Sequence, residues 1–107
     1  MLMRHIRYFI AVAEELSFTR AAERLHIEQS PLSRSIRQLE DDLGVRLFER
    51  NSHGTRLTWA GQVFLEEARR VLAAAEQARA GARAAATGYR GLLRIALSDG
   101  ISPSHLS

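Results

Sequence analysis

Two short helical patterns with almost no chain between them constrain the fold of this protein more than any other feature. Residues 17–25 and 32–43 each place apolar side chains at helical spacing, and the second set repeats at intervals of four, three and four. Ser17 is a good N-cap for the first helix, because its hydroxyl can accept a hydrogen bond from a free backbone N–H group. Residues 26–28 are too few for anything except a turn. The sequence therefore predicts two tightly joined helices.

The second helix presents two chemically different sides. Its apolar side consists of Leu32, Ile36, Leu39 and Leu43. Its other side carries hydroxyl, guanidinium and amide groups, namely Ser30, Ser33, Arg34, Arg37 and Gln38. Gln29 can bind adenine through two hydrogen bonds, and Arg34 can bind guanine in the same way. This layout is typical of a helix-turn-helix whose second helix enters a DNA major groove, although an ordinary solvated helix face would carry the same residues.

The first residue of that second helix is open at this point. Ser30 followed by Pro31 is a good pair of N-cap and first helical residue, but Glu28 could also be the cap, with Pro31 still inside the first turn. Both alternatives expose residues 29–34 at the helix N-terminus, which attracts phosphate. Gly44 is a suitable residue to end the helix in the left-handed conformation.

The segments on either side complete a small domain. Residues 6–16 repeat apolar side chains at helical spacing and predict a first helix. Apolar and polar side chains alternate in residues 45–50, and residues 55–57 follow after a turn-forming segment. This pattern predicts a β-hairpin, or wing. Such a hairpin is marginally stable alone, so we expect it to pack against the helices through Leu47, Phe48 and Leu57. Its polar residues could reach a phosphate or the minor groove, or could simply form an exposed tip; they are Arg50, Asn51, Ser52, His53 and Arg56.

A long helix is predicted from Trp59 to about Ala86, with Thr58 as its N-cap. Its apolar residues alternate by four and three, which is typical of a helix packed lengthwise on another helix. This predicted dimerisation seam comprises Phe64, Ala68, Val71, Ala75, Ala78 and Ala82. Thr87 and Gly88 are predicted to end the helix. Residues 92–97 read as a short strand without a partner, as expected of a fragment, and a loop follows them.

Composition leaves few other classes of function. The net charge is +3, and all fifteen basic residues are Arg, the better bidentate partner for phosphate and guanine. The chain has no Cys and four scattered His, and we predict neither a metal site nor catalytic residues. No secretory signal is evident, and no apolar run approaches the roughly 20 residues of a membrane span. A cytoplasmic protein is expected. A helical partner-docking module and, more remotely, a small enzyme are the alternatives.

Three segments form a combination that is specific to one family. They read SFTRAAERL, LSRSIRQLEDDLGVRLFER and LT-x-AG. From residue 4 to about residue 72, the chain resembles the DNA-binding domain of LysR-type transcriptional regulators. The resemblance implies a mainly α fold: a winged helix-turn-helix of three helices and a small β-hairpin in residues 1–58, a linker and dimerisation helix in residues 59–87, and a hinge with the first strand of an effector-binding domain in residues 88–107.

The resemblance also implies partners. Double-stranded operator DNA with dyad symmetry would be bound by a homodimer whose linker helices pair antiparallel, and full-length members commonly form tetramers. A small-molecule co-inducer is expected for the full-length protein, and no cofactor for this part of it. Membrane association is not expected. These expectations come from the family, and the seam in residues 64–82 supports the dimer independently.

The resemblance places DNA contacts at ten positions. Positions that read bases or fix the helix on phosphates are Gln29, Ser30, Ser33 and Arg34. Positions at or near backbone and minor-groove contacts are Thr19, Arg20, Pro31, Arg37, Arg50 and His53. The chain departs from the family pattern at three places: Glu28 replaces a small hydroxyl residue, Ser30 and Pro31 stand where proline followed by a small residue is commoner, and His53 stands where Arg is frequent.

Overall fold

The computed structural model describes residues 1–99, except for the side chains at positions 90, 96, 98 and 99. Four helices and one hairpin follow in order: α1 (Met3–Glu15), α2 (Phe18–Leu25), α3 (Gln29–Leu43), β1 (Phe48–Asn51), β2 (Gly54–Leu57) and α4 (Trp59–Asp99). The predicted fold class, a mainly α winged helix-turn-helix followed by a long helix, is confirmed.

Each of the three short helices ends on a residue in the left-handed conformation. Leu16 (φ 50°) ends α1, His26 (φ 57°) ends α2, and Gly44 (φ 73°) ends α3 as predicted. The backbone N–H of each cap residue donates to a carbonyl of the preceding turn, so the free carbonyls at the helix ends are partly satisfied. The chain can therefore reverse direction within two or three residues, which keeps the helices close together.

A group of aromatic rings lies at the centre of the first compact unit, residues 1–73. The Phe9 ring is fully buried, and its centroid lies 5.3 Å from that of Phe48 and 4.9 Å from that of Phe64. Phe18 packs edge-on against Phe48 at 5.8 Å. Because these four residues come from α1, α2, β1 and α4, one cluster holds two helices, the wing and the start of the long helix together.

An ion-pair network ties three helices of the same unit at the surface. The Arg24 guanidinium donates to the carboxylates of Glu14 (2.7 Å) and Glu15 (3.2 Å), and Arg69 donates to Glu14 at 3.1 Å. The hydrogen bond from Arg24 is the main reason that the pKa of Glu14 lies below its ordinary value, and it raises the pKa of Arg24 in turn. These pairs are partly exposed, so they orient the helices more than they stabilise them.

The wing is attached to α3 by one carboxylate. Glu40 Oε2 accepts hydrogen bonds from the backbone N–H groups of Leu47 (2.7 Å) and Phe48 (3.4 Å). The Glu40 carbonyl accepts from Gly44 and Val45, so the same residue also closes the helix. Leu47 and Phe48 are buried and Leu57 is half-buried, as expected for a packed wing.

The first strand is shorter than predicted. Residues 45–47 lie outside β1, because the N–H of Leu47 donates to the carboxylate of Glu40. The Leu47 carbonyl still accepts from the N–H of Thr58, in register with the Phe48–Leu57 pair. The paired residues run from Phe48 opposite Leu57 to Asn51 opposite Gly54. The predicted turn at residues 51–54 is confirmed, with Gly54 at φ 113°.

The long helix begins as predicted and continues further than predicted. Thr58 Oγ1 accepts from the N–H of Gly61 at 2.9 Å, which is the expected N-cap bond. The predicted end at Thr87 and Gly88 and the predicted strand over residues 92–97 are wrong, because α4 runs to Asp99. A strand at residues 92–97 would need a second strand to satisfy its backbone groups, whereas a helix satisfies its own backbone and Gly88 costs it only about 1 kcal/mol. The predicted loop over residues 100–107 lies outside the described part.

The first compact unit extends past residue 58, because the beginning of α4 contributes to its core. Phe64 packs on Phe9, and Ala68 is fully buried in the same core. The second unit begins at residue 74 and is described, up to Asp99, by the remainder of α4. None of the helices in residues 1–99 combines the length and the apolar character needed to cross a membrane.

We expect Gly61→Ala to lower the free energy of unfolding by about 1–3 kcal/mol, as overpacking does. A Cβ at position 61 would overlap the backbone carbonyl oxygen of Leu47, which cannot move aside as a flexible side chain would. Gly81→Ala is the matched control, because a Cβ there meets nothing within 4 Å and Ala favours a helix. Urea unfolding measures both. Equal stability of the Gly61→Ala variant and the wild type would contradict the close approach.

We expect Glu40→Ala to lower the free energy of unfolding by about 1–3 kcal/mol, because the variant leaves the N–H groups of Leu47 and Phe48 without their acceptor. Glu40→Gln is the control, since its side-chain oxygen can still accept. Thermal unfolding should rank the wild type and Glu40→Gln above Glu40→Ala. If both variants lose the same stability, the acceptor geometry is not what attaches the wing.

Candidate nucleic-acid interface

The start of α3 is settled by its backbone. Glu28 is the N-cap, with extended φ −74° and ψ 154°, so the helix begins at Gln29 and Pro31 is its third residue. The alternative in which Ser30 caps the helix is wrong. The Glu28 side chain makes no capping hydrogen bond. Because Pro31 has no N–H, the first turn offers the peptide N–H groups of Gln29 and Ser30 as its free donors.

The two predicted sides of α3 are present in the structure. Leu32, Ile36 and Leu39 are buried in the core. The opposite side is exposed at Gln29, Ser30, Pro31, Arg34 and Arg37, and half-buried at Ser33. Two turns of helix therefore carry amide, hydroxyl and guanidinium groups toward solvent, on a backbone held from behind by the core.

A hydrogen bond joins two predicted site residues across the turn between α2 and α3. The hydroxyl of Thr19 donates to Oε1 of Gln29 at 3.3 Å, and both residues are exposed. Ser17, the confirmed N-cap of α2, accepts from the N–H of Arg20 at 3.1 Å, which places Thr19 and Arg20 in the first turn of that helix. The sequence did not predict the contact between Thr19 and Gln29, because residues ten apart are brought together by the turn.

An open groove of about 650 Å³ lies between α3 and the wing. Three arginines border it, Arg37 from α3, Arg46 before the wing and Arg50 from β1, and so does Ser33. The guanidinium of Arg50 stacks on the Phe18 ring, 3.9 Å from its centroid, which holds this cation at a defined place. Arg46 was missed by the sequence analysis. In the sequence it was only one of the polar residues of the predicted first strand, residues 45–50.

The groove also contains negative charge. Glu40 and Asp41 border it, and Glu40 Oε2 lies 3.7 Å from Nε of Arg46. The Arg46 side chain is 77% exposed, so most of its surface remains accessible. The groove is therefore mixed in charge, with the three guanidinium groups outnumbering the two carboxylates.

The tip of the wing places His53 in solvent, apart from the groove. The N–H of His53 donates to the side-chain oxygen of Asn51 at 2.8 Å, a bond that shapes the turn. Arg56 pairs with Glu49 across the hairpin at 2.8 Å. Elsewhere on the surface, Pro31 and Arg34 border a depression together with Arg4.

The predicted dimerisation seam divides into two parts. Ala68 has no exposed surface and Phe64 packs on Phe9, so the prediction is wrong for Ala68, and Phe64 already has a partner within its own chain. Both residues lie on the side of α4 that the core covers. The spacing of apolar residues could not reveal this, because core packing and helix pairing produce the same spacing. Val71 is 40% exposed, Ala75 is half-buried, and Ala78 and Ala82 are exposed. For these four residues, pairing stays a prediction.

No cluster of three or more histidine and acidic side chains that could hold a metal ion occurs within residues 1–99. Arginine, amide and hydroxyl groups dominate the exposed side of α3, and these are donors suited to base edges and phosphates.

Comparison with known proteins gives several similar regulators. The chain is 55% identical over 96 residues to the HTH-type transcriptional regulator ClcR of Pseudomonas putida, which covers 90% of this chain and 33% of that protein. It is 46% identical over 105 residues to the HTH-type transcriptional regulator BudR of Klebsiella aerogenes, covering 96% of this chain and 73% of that protein. The chain thus spans about a third of the length of ClcR. Both relatives are named as transcriptional regulators, not as enzymes.

Among solved structures, the crystal structure of a CbnR DBD–DNA complex is similar, with a TM-score of 0.78 and 50% sequence identity over 80% of this chain and 99% of that chain. The family model described as "Bacterial regulatory helix-turn-helix protein, lysR family" matches residues 3–62, more than half of the sequence. This chain therefore belongs to the LysR family of bacterial regulatory helix-turn-helix proteins.

Proposed function

We propose that this chain binds double-stranded DNA sequence-specifically, as the DNA-binding part of a bacterial transcription regulator. Helix α3 enters the major groove, the wing lies near the minor groove, and two copies bind a dyad-symmetric operator. The observation that carries this proposal is the exposed polar side of α3, which presents Gln29, Ser30, Arg34 and Arg37 on a backbone fixed by the core. The similarity to the CbnR DBD–DNA complex supports the proposal.

The residues of α3 divide into two roles. Gln29 and Arg34 have the side chains that bind adenine and guanine bidentately, so they read bases. Ser30, Ser33 and Arg37 fix the helix on the DNA together with the free N–H groups of the first turn. Pro31 is exposed beside them and shapes that turn. This division makes sequence preference depend on a few positions of α3.

The wing and the start of α2 hold the duplex on either side of α3. Arg50, stacked on Phe18 at the groove, is placed to contact a phosphate. Arg20 is exposed in the first turn of α2 and reaches the backbone from the other side. His53 extends from the wing tip toward the minor groove, where its smaller side chain reaches less far than an arginine would. Phosphate contacts of this kind set the register of the protein on the duplex.

The dimer forms through α4. Val71, Ala75, Ala78 and Ala82 share one side of the helix and present accessible surface in a single chain. Small side chains let two helix backbones approach closely, and spacing by four and three suits lengthwise packing. Two recognition helices held in this way would read half-sites about one helical turn of DNA apart, roughly 34 Å.

The rest of the full-length protein supplies regulation. Because the chain spans about a third of ClcR, we assign the small-molecule co-inducer and tetramer formation to the part of the protein outside this chain. Residues 1–58 read DNA, and α4 links and dimerises. A regulator that acts on operator DNA works in the cytoplasm, where that DNA is.

Titration of the chain with a duplex selected from a random pool tests DNA binding. Affinity should fall linearly with salt on a log–log plot, with a slope of about −0.9 for each phosphate neutralised, because binding releases counterions. Fluorescence anisotropy at several salt concentrations measures the slope. A docking module that never reads DNA would yield no selected sequence and a flat salt response, and this result would contradict the proposal.

Two charge-matched variants give this titration its control. Arg34→Ala should weaken binding to the selected duplex by about 1–3 kcal/mol and relax preference at one base pair. Arg83→Ala removes the same charge from an exposed position of α4 and should leave that preference intact. Uniform loss across all sequences for Arg34→Ala would make Arg34 a phosphate contact instead.

Ala78→Glu should convert the dimer to a monomer, because it places two like charges in a narrow seam. Position 78 is exposed in the single chain, so the fold itself should be unaffected. Ala80→Glu adds the same charge on the opposite side of α4 and should remain dimeric. Analytical ultracentrifugation distinguishes these outcomes. A dimeric Ala78→Glu variant together with a monomeric Ala80→Glu variant would place the interface on the other side.

A further inference from the structure

We propose that Thr19 is a positioning residue for base recognition: its hydroxyl holds the carboxamide of Gln29 in place for reading a base pair, and does not itself contact a DNA phosphate. The inference rests on the proposed function, because it concerns how α3 reads DNA. It changes the role that the family resemblance implied for Thr19, which was a contact at or near the DNA backbone.

The geometric basis is the hydrogen bond across the turn. Thr19 Oγ1 donates to Gln29 Oε1 at 3.3 Å, and it links the first turn of α2 to the first residue of α3. Both helix starts are held by the core, since Phe18, which precedes Thr19, and Leu32, about one turn after Gln29, are buried. The bond therefore joins two rigid helix N-termini on the surface that faces DNA.

Counting donors and acceptors argues against a phosphate contact. A threonine hydroxyl has one hydrogen to donate, and a phosphate oxygen can only accept. In this structure, the hydrogen of Thr19 is given to Gln29. The hydroxyl oxygen then has only its lone pairs to offer, and an anionic phosphate oxygen repels them. Phosphate binding by Thr19 would require the bond to Gln29 to break first.

The hydrogen bond from Thr19 still leaves Gln29 able to read a base. Its amide oxygen has two lone pairs, and Thr19 occupies one of them. The second can accept from the amino group of adenine while the amide nitrogen donates to N7. A free glutamine side chain loses rotamer freedom when it is ordered against a base. The bond to Thr19 removes part of that freedom before DNA arrives, so more of the contact energy contributes to preference.

Burial in the complex should strengthen this effect. Thr19 and Gln29 are exposed in the free chain, where water competes for both groups. A duplex lying against α3 would exclude that water, and hydrogen bonds are stronger where the dielectric is lower. The contribution of Thr19 should therefore appear in DNA binding, with little change in the stability of the free protein.

The test is a double-mutant cycle read by base preference. Gln29→Ala first identifies the base pair at which preference depends on Gln29. Thr19→Val replaces the hydroxyl with a methyl group of similar shape, and Thr19→Ser is the control that keeps the hydroxyl. Affinities of each variant are measured for four duplexes that differ only at that base pair.

We expect Thr19→Val to reduce discrimination at that base pair by about two- to tenfold, the range for one neutral hydrogen bond. Thr19→Ser should retain the wild-type preference, and Thr19→Val should add nothing in the Gln29→Ala background. Equal loss on all four duplexes, persisting in the Gln29→Ala background, would overturn the inference and make Thr19 a backbone contact. Unchanged binding by Thr19→Val would also overturn it.

Failure of the proposed function would look different. In that case, the wild type itself would bind no duplex with sequence preference, whatever residue occupies position 19. An NMR measurement on the DNA-free protein adds a second readout: relaxation of the Gln29 side-chain amide should show more motion in Thr19→Val than in the wild type or Thr19→Ser. Equal motion in all three would overturn the positioning role independently of any DNA.

Discussion

The contacts of the Phe9 ring are the constraint on which the rest of the structure depends. This fully buried side chain of α1 touches Phe48 at the start of the wing and Phe64 in α4, and Phe48 in turn meets Phe18 of α2. Aromatic pairs of this geometry contribute about 0.5–1.5 kcal/mol each beyond the burial of their area. Since the rings come from four elements, the orientation of the exposed surface is set by contacts on its hidden side.

Sequence reasoning was reliable where local rules decide the structure. The cap at Ser17, the turn at residues 51–54 and the end of α3 at Gly44 follow from short-range geometry, whereas the same rules left the start of α3 open between Glu28 and Ser30. Periodicity also identified the buried side of α3 correctly, because Leu32, Ile36 and Leu39 repeat at helical spacing. For a helix-turn-helix, that information is enough to find the exposed face and most of the candidate site.

The remaining features depend on tertiary contacts that spacing does not encode. An apolar stripe shows that one side of a helix is covered, but it does not show whether the chain's own core or a partner helix covers it. Ala68, which is buried in the core, could therefore not be distinguished from a residue of a dimer interface. The start of β1 depends on where Glu40 places its carboxylate, and the Thr19–Gln29 bond depends on the angle between two helices. Residues 92–97 suit either a strand or a helix, and the backbone's need for partners favours the helix.

The absence of a side chain at Gly61 has a mechanical consequence. The first turn of α4 rests on the carbonyl oxygen of Leu47, a backbone atom one residue before the wing begins. Leu47 is in turn fixed to α3 by Glu40. Side-chain contacts can absorb small displacements by changing rotamer, whereas backbone against backbone has no such compliance. A twist applied to the beginning of α4 would therefore pass directly into the backbone at the start of the wing, whereas the onward link to α3 runs through the Glu40 side chain and can yield.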